Sequence, residues 1–114
     1  MDASAALSEL VGISTQVVEA VIVTPDGTIE ASRVASEDRA RELVAAGSAI
    51  LVEADSIRAT SVVERVHVDL ERGSVVVARD AERAIVVTTV PEPTAGLLAY
   101  DLRTALRRAG GETT

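Results

Sequence analysis

The spacing of hydrophobic positions divides the chain into eight predicted elements. Apolar residues recur every three to four positions in the segments predicted as helices, and they alternate or run without a break in those predicted as strands. The predicted helices cover residues 4–11, 36–57 and 94–109, and the predicted strands cover residues 16–24, 28–33, 61–71, 74–79 and 83–90. Short turns join most of the strands. The order αββαβββα therefore predicts an α+β fold with a mainly antiparallel sheet.

Glycine and proline mark the expected boundaries between these elements. Pro25-Asp26-Gly27 and Arg72-Gly73 supply the residues that tight hairpin turns require. Gly12 is predicted to end the first helix. Pro91 and Pro93 follow the last strand and prevent its continuation, because proline has no N–H to donate to a ladder.

The long central helix has two apolar stripes rather than one. Its middle, residues 43–52, contains no charged residue. The stripe expected to face the sheet consists of Leu43, Gly47, Ile50, Ala54 and Ile57. The second stripe consists of Ala45, Ala49, Val52 and Ser56. Because a surface helix normally has a single apolar face, we expect another surface to cover the second stripe.

Composition and charge restrict the classes of partner. The chain has 114 residues, the size of one domain, with residues 1–4 and 110–114 expected to be frayed. It contains no cysteine, and its formal net charge of −7 disfavours nucleic acid and anionic membranes. Tyr100 is the single aromatic residue, which excludes a base-stacking platform. We expect a cytoplasmic protein, because no signal peptide or membrane-spanning run is visible.

No constellation of residues in the sequence indicates catalysis. His67 is the one histidine, it lies on the polar face of a predicted strand, and no nucleophile elbow accompanies it. The residues of a zinc site, an EF-hand loop and a phosphate-binding glycine loop are also missing. The sequence therefore predicts a protein that is not an enzyme and that has no cofactor or metal.

Four segments together resemble the Roadblock/dynein light-chain family and its bacterial MglB subgroup. They are ALSELV, VVEAVIVTPDGTIEAS, the alanine-rich LVAAGSAILVEA and the C-terminal VVTTVPEPTAGLLAYDLRTALRRA, in which Gly96, Leu97, Tyr100, Leu102 and Arg103 match the family pattern. The resemblance implies a profilin/longin-like fold, a five-stranded sheet with the long helix on one face and the terminal helices on the other. It also implies a homodimer in which the long helices pack together and the third strands pair edge to edge.

The resemblance further implies binding to a small Ras-like GTPase, which the protein would regulate or scaffold. An adaptor dimer with no effect on GTP hydrolysis and a small-molecule sensor of the PAS or GAF type are the alternatives. Direct membrane insertion is not expected. The predicted dimer interface consists of Ala45, Ala49, Val52, Val63, Arg65 and His67. The predicted partner-binding residues are Arg39, Arg41, Glu42 and Ser48.

Overall fold

Three helices and five strands follow one another in the predicted order in the computed structural model, which describes residues 2–57 and 63–111. The helices are α1 (Ala3–Ile13), α2 (Glu37–Ile57) and α3 (Ala95–Ala109). The strands are β1 (Val17–Val23), β2 (Ile29–Arg33), β3 (Arg65–Leu70), β4 (Gly73–Arg79) and β5 (Ala84–Thr89). They form one sheet in the order β2-β1-β5-β4-β3, and all neighbouring strands are antiparallel. The predicted α+β fold is confirmed.

Helix α1 and strand β3 have boundaries that differ from the prediction. Helix α1 begins at Ala3, inside the segment expected to be frayed, because the Asp2 side chain accepts a hydrogen bond from the Ala5 N–H and caps the helix. The helix also continues through Gly12, which was predicted to end it, and stops at Ile13. Strand β3 begins at Arg65 rather than at residue 61. Residues 61 and 62 lie outside the described part of the chain.

Helices α1 and α3 pack side by side on one face of the sheet. Their apolar stripes and the strand residues beneath them form a core of aliphatic side chains in which Leu7, Leu98 and Leu102 are fully buried. The inward face predicted for α3 is confirmed at Leu98, Leu102, Ala105, Leu106 and Ala109.

Helix α2 covers the opposite face of the sheet with far fewer buried residues. Among the described residues, this second cluster consists of Val21, Ala40, Leu43, Val77 and Val86. Partly buried side chains such as Ile50 and Leu51 surround it. The sheet therefore has one thickly covered face and one thinly covered face.

A register shift in β1 decides which of its residues meet α2. The pairing of β1 with β5 slips between Val17 and Glu19, so Val17 joins Ala20 in the α1/α3 core. Glu19 lies on the α2 side together with Val21 by regular alternation, and Val17, two residues before Glu19, does not share that side. A bulge of this kind changes the face to which the following side chains point.

Candidate interaction surfaces

A close backbone approach seats the middle of α2 on the sheet. Gly47 is buried, and a Cβ built on it would lie 2.5 Å from Cγ2 of Val86 on β5. That distance is shorter than a carbon–carbon contact allows, so a larger residue at this position would force the Val86 side chain to shift. The sequence placed Gly47 correctly in the stripe that faces the sheet.

An ion pair fixes the N-terminal part of α2 to β1. Nε of Arg39 lies 2.9 Å from Oε2 of Glu19, and Nη2 of Arg39 lies 2.9 Å from Oε1. The Thr88 hydroxyl donates a third hydrogen bond to Glu19 Oε1 at 2.9 Å. The hydrogen bond from Arg39, assisted by that from Thr88, holds the pKa of Glu19 below its usual range. This two-point pairing is specific for the planar guanidinium of arginine.

A second ion pair fixes the C-terminal part of α2. Asp55 accepts a hydrogen bond from Arg79 on β4, and this bond lowers the pKa of the Asp55 carboxyl. Arg79 Nε also donates to the Val63 carbonyl at 2.7 Å. The Val63 N–H donates in turn to Asp55 Oδ1 at 3.3 Å. Val63, predicted to lie in a dimer interface, thus contributes its backbone to the junction between α2 and the sheet.

The outer face of α2 carries the second apolar stripe, and a single copy of the chain leaves it uncovered. Ala45, Ala49 and Ser56 are exposed, and Val52 is 67% exposed. We call Ala45, Ala49 and Val52 the outer α2 face. Two of its three residues are alanines, so another helix could approach its backbone closely.

The stripe predicted to face the sheet is shorter than expected. Leu43 and Gly47 are buried, and Ile50 and Ala54 are partly buried. Ile57 was expected to belong to this stripe, but it is 78% exposed. At about 100° per residue, ten residues turn the helix roughly 80° away from the direction of Gly47, so Ile57 points past the sheet.

Strand β3 is an edge of the sheet, and its successive residues lie on opposite faces of that sheet. Only one of these faces is shared with α2. The strand pairs with β4 alone among the described strands. Val66 and Val68 lie opposite Val77 and Val75, on the α2 side. Arg65 and His67 lie opposite Ala78 and Val76, on the α1/α3 side.

The sheet therefore separates Arg65 and His67 from the outer α2 face. Val66 and Val68, which were not among the predicted interface residues, share the α2 side and are only partly buried. The alternation of apolar and polar residues from Arg65 to Asp69 was the sequence signal that could have identified them.

The four predicted partner-binding residues do not form one patch. Arg39 is occupied by Glu19 and also pairs with Glu42 at 3.2 Å. Arg41 pairs with Asp38 in the first turns of α2, and both side chains are exposed. Ser48 lines a separate open groove of about 380 Å³ beside the β1–β2 turn. Three of the four thus cluster near the start of α2, and Ser48 lies away from them.

His67, Asp69 and Ser74 form a small polar cluster at the β3–β4 hairpin. His67 Nε2 lies 2.9 Å from Asp69 Oδ1, and the Ser74 hydroxyl donates to the same oxygen at 2.7 Å. The hydrogen bond from Ser74 and the nearby imidazole lower the pKa of Asp69. A hydrolytic triad requires the histidine between the acid and the serine. Here the carboxylate lies between them, so the imidazole is not placed to activate the hydroxyl.

Within residues 2–57 and 63–111, no three histidine or acidic side chains come together as a metal-ligand set. None of the helices in the same ranges has the length and apolar character needed to cross a bilayer.

Comparisons by sequence and by structure give different results. No protein-family model matches the sequence, and a search of curated proteins finds no match. The structure, in contrast, is similar to the Roadblock/LC7 domain from Streptomyces avermitilis, with a TM-score of 0.84, 21% identity and 97% of each chain covered. It is also similar to the gliding protein MglB from Thermus thermophilus, with a TM-score of 0.70, 18% identity, and 97% of this chain and 90% of that chain covered.

A third similar structure is an MglB protein described with a tetrameric arrangement, which gives a TM-score of 0.67 at 20% identity and covers 95% of this chain and 85% of that chain. At these identities the similarity establishes the fold. At the level of the fold, this similarity confirms the resemblance that the four sequence segments indicated. The chain therefore has the fold of Roadblock/LC7 domains and MglB proteins.

Proposed function

We propose that this chain is a non-catalytic homodimeric module that binds another protein, and that its partner is a small Ras-like GTPase which it regulates or scaffolds. The outer α2 face carries this proposal. Ala45, Ala49 and Val52 are apolar and exposed in the single copy, and strand β3, at one edge of the sheet, has β4 as its one partner among the described strands. Such a surface and such an edge favour association.

A symmetric dimer would cover both features together. Packing of two α2 helices through their alanines would bury Val52, and pairing of two β3 edges would place Val66 and Val68 in the same interface. Backbone groups of the free edge supply the hydrogen bonds for such pairing. Arg65 and His67 would lie on the other side of the joined strands. The tetrameric arrangement of a similar MglB protein supports self-association of this fold.

The GTPase as partner rests on the resemblance to the Roadblock and MglB proteins. The charged N-terminal part of α2, with Arg39, Arg41 and Glu42, would border the dimer interface and offer polar contacts to the partner. Binding there would act by favouring one conformation of the switch loops of the GTPase. Ser48 would add a contact from the groove beside the β1–β2 turn.

The dimer is tested by light scattering on a sizing column. We expect the wild-type chain to elute as a dimer at micromolar concentration and Ala49→Glu to elute as a monomer, because the substitution places a charge in the helix contact. Ala5→Glu is the matched control, since Ala5 is exposed on α1 at the other face of the sheet. A monomeric wild type, or a dimer that survives Ala49→Glu, would contradict the proposed interface.

The partner is tested with a panel of purified small Ras-like GTPases. Binding is measured by biolayer interferometry, and GTP hydrolysis is measured under single-turnover conditions. Faster hydrolysis would support regulation, and binding without a change in rate would support an adaptor. If no GTPase of the panel binds, the partner assignment is wrong, whereas the result of the dimer test is unaffected.

A further inference from the structure

A groove of about 450 Å³ lies between α3 and the adjoining ends of β3 and β4. Ala78, Ala99 and Leu106, which are largely buried, provide its apolar lining. Three exposed arginines also line it: Arg103 and Arg107 come from α3, and Arg65 comes from the edge strand. The groove therefore combines an apolar floor with guanidinium groups from two separate elements.

These arginines differ from most others in the chain. Arg39, Arg41, Arg79, Arg83 and Arg108 each form an ion pair. Within the described ranges, Arg65, Arg103 and Arg107 form none. Arg108 is adjacent to Arg107 in sequence, but it pairs with Glu9 on α1 and does not line the groove.

Two carboxylates also line the groove, and they do not neutralise it. Asp80 Oδ1 accepts hydrogen bonds from the backbone N–H groups of Glu82 and Arg83, both at 2.8 Å, and thus serves the β4–β5 turn. Glu64 is exposed and has no ion pair among the described residues. Three arginines that form no ion pair among the described residues face two carboxylates, so the groove keeps an excess of one positive charge in a chain whose formal net charge is −7.

Stabilisation of α3 accounts for only part of this arrangement. A cation in the last turn of a helix interacts favourably with the helix dipole, which explains Arg107. Arg103 lies more than one turn from the end of α3, and Arg65 lies on a strand, so the dipole explains neither. Guanidinium groups form two-point hydrogen bonds with carboxylates, and arginine and tyrosine are enriched in protein interfaces. Tyr100 lies one turn before Arg103 and is 61% exposed.

We propose that this groove binds an acidic segment of a partner protein. Carboxylates of the segment pair with Arg65, Arg103 and Arg107, and an apolar side chain of the segment packs on Ala99 and Leu106. A short acidic peptide meets the local positive charge, whereas a nucleic acid or an anionic membrane also meets the negative charge of the remaining surface. The groove lies on the other side of the sheet from α2, so it does not depend on contact between two outer α2 faces, while Arg65, on strand β3, would border the paired edges of the proposed dimer.

The test measures anisotropy of a fluorescein-labelled peptide of repeating Leu-Glu-Glu units, titrated with the full chain. We expect binding that weakens with added salt and that is at least about tenfold weaker for the double variant Arg103→Gln/Arg107→Gln. The control is Arg33→Gln/Arg72→Gln, which removes the same charge from two exposed arginines outside the groove. The control should bind within about twofold of wild type.

A second readout uses the fluorescence of Tyr100, the single aromatic residue, which lies one turn before Arg103 on α3 and whose emission should change when unlabelled peptide binds. Circular dichroism establishes that both double variants remain folded. The proposal is overturned if the peptide does not bind, if a Leu-Gln-Gln peptide binds as well, or if the control variant loses as much affinity. Phosphatidylserine vesicles that bind through Arg103 and Arg107 in place of the peptide would also overturn it, in favour of a membrane site.

Discussion

The two faces of the sheet are covered in different ways. On the α1/α3 face, two helices share a continuous core in which the large side chains, Leu7 and Leu102 among them, are fully buried. On the other face, α2 lies alone, with Leu43 as its one large buried side chain. Ion pairs at both ends and the close approach at Gly47 supplement this small core.

This difference suggests that one face mainly stabilises the fold and that the other leaves surface free for association. The α1/α3 core supplies most of the hydrophobic stabilisation, since that stabilisation follows the apolar area removed from water. Helix α2 needs less of its surface to hold the sheet, and its remaining apolar surface stays available to another molecule. The thin face is therefore the one that we assign to dimerisation.

The largest expected effect compares one leucine from each face. Leu102→Ala should lower the free energy of unfolding by about 3–5 kcal/mol, because it leaves a cavity in a closed core. Leu43→Ala should cost less, about 2–3 kcal/mol, because its partly exposed neighbours can collapse into the space. Urea denaturation followed by circular dichroism measures both values. A greater loss for Leu43→Ala would contradict the proposed division.

A smaller effect is expected at the close approach between α2 and β5. Gly47→Ala should destabilise the protein by about 1–3 kcal/mol, because the new methyl group collides with the buried side chain of Val86. Gly12→Ala is the control, because that position is helical and has no atom within 4 Å of the added Cβ. The control should gain about 0.5–1 kcal/mol from better helix propensity.

Shortening the Val86 side chain in the Gly47→Ala variant would test whether the collision causes the destabilisation. Val86→Ala in the Gly47→Ala background should cost less than Val86→Ala alone, since the two changes share one contact. Equal costs in the two backgrounds, measured by the same urea denaturation, would show that the collision is not the cause of the destabilisation.

The smallest effect concerns the ion pair at the start of α2. The pKa of Glu19 is lowered in the folded chain, so its stabilising contribution is complete above the unfolded value of about 4.3 and is lost as the pH falls through the folded value. The free energy of unfolding should therefore drop between about pH 5 and pH 3. Glu19→Gln should reduce that drop by about 0.5–1 kcal/mol.

The control for the pH series is Glu71→Gln, an exposed position without an ion pair among the described residues. Denaturation midpoints across the pH range compare the two variants. A pH dependence that Glu19→Gln leaves unchanged would mean that the carboxylate does not fasten α2.

Much of the fold could be predicted from the sequence because its signals are local. The order of the elements, the inward face of α3 and the two stripes of α2 all follow from hydrophobic spacing along the chain. Ala45, Ala49 and Val52 are exposed in the single copy, which agrees with the prediction that the second stripe does not face the sheet. The boundary at Gly12 was wrong, because glycine is tolerated within a helix where neighbouring residues continue the hydrogen bonding.

Only the tertiary structure decided which distant residues meet. The position of β1 in the sheet brings Glu19 to Arg39, and the strand order brings Arg79 to Asp55. The same strand order places Arg65 beside the arginines of α3 and separates it from the outer α2 face. Spacing along a chain specifies the face of an element, whereas contacts between elements depend on register and strand order, which long-range packing determines.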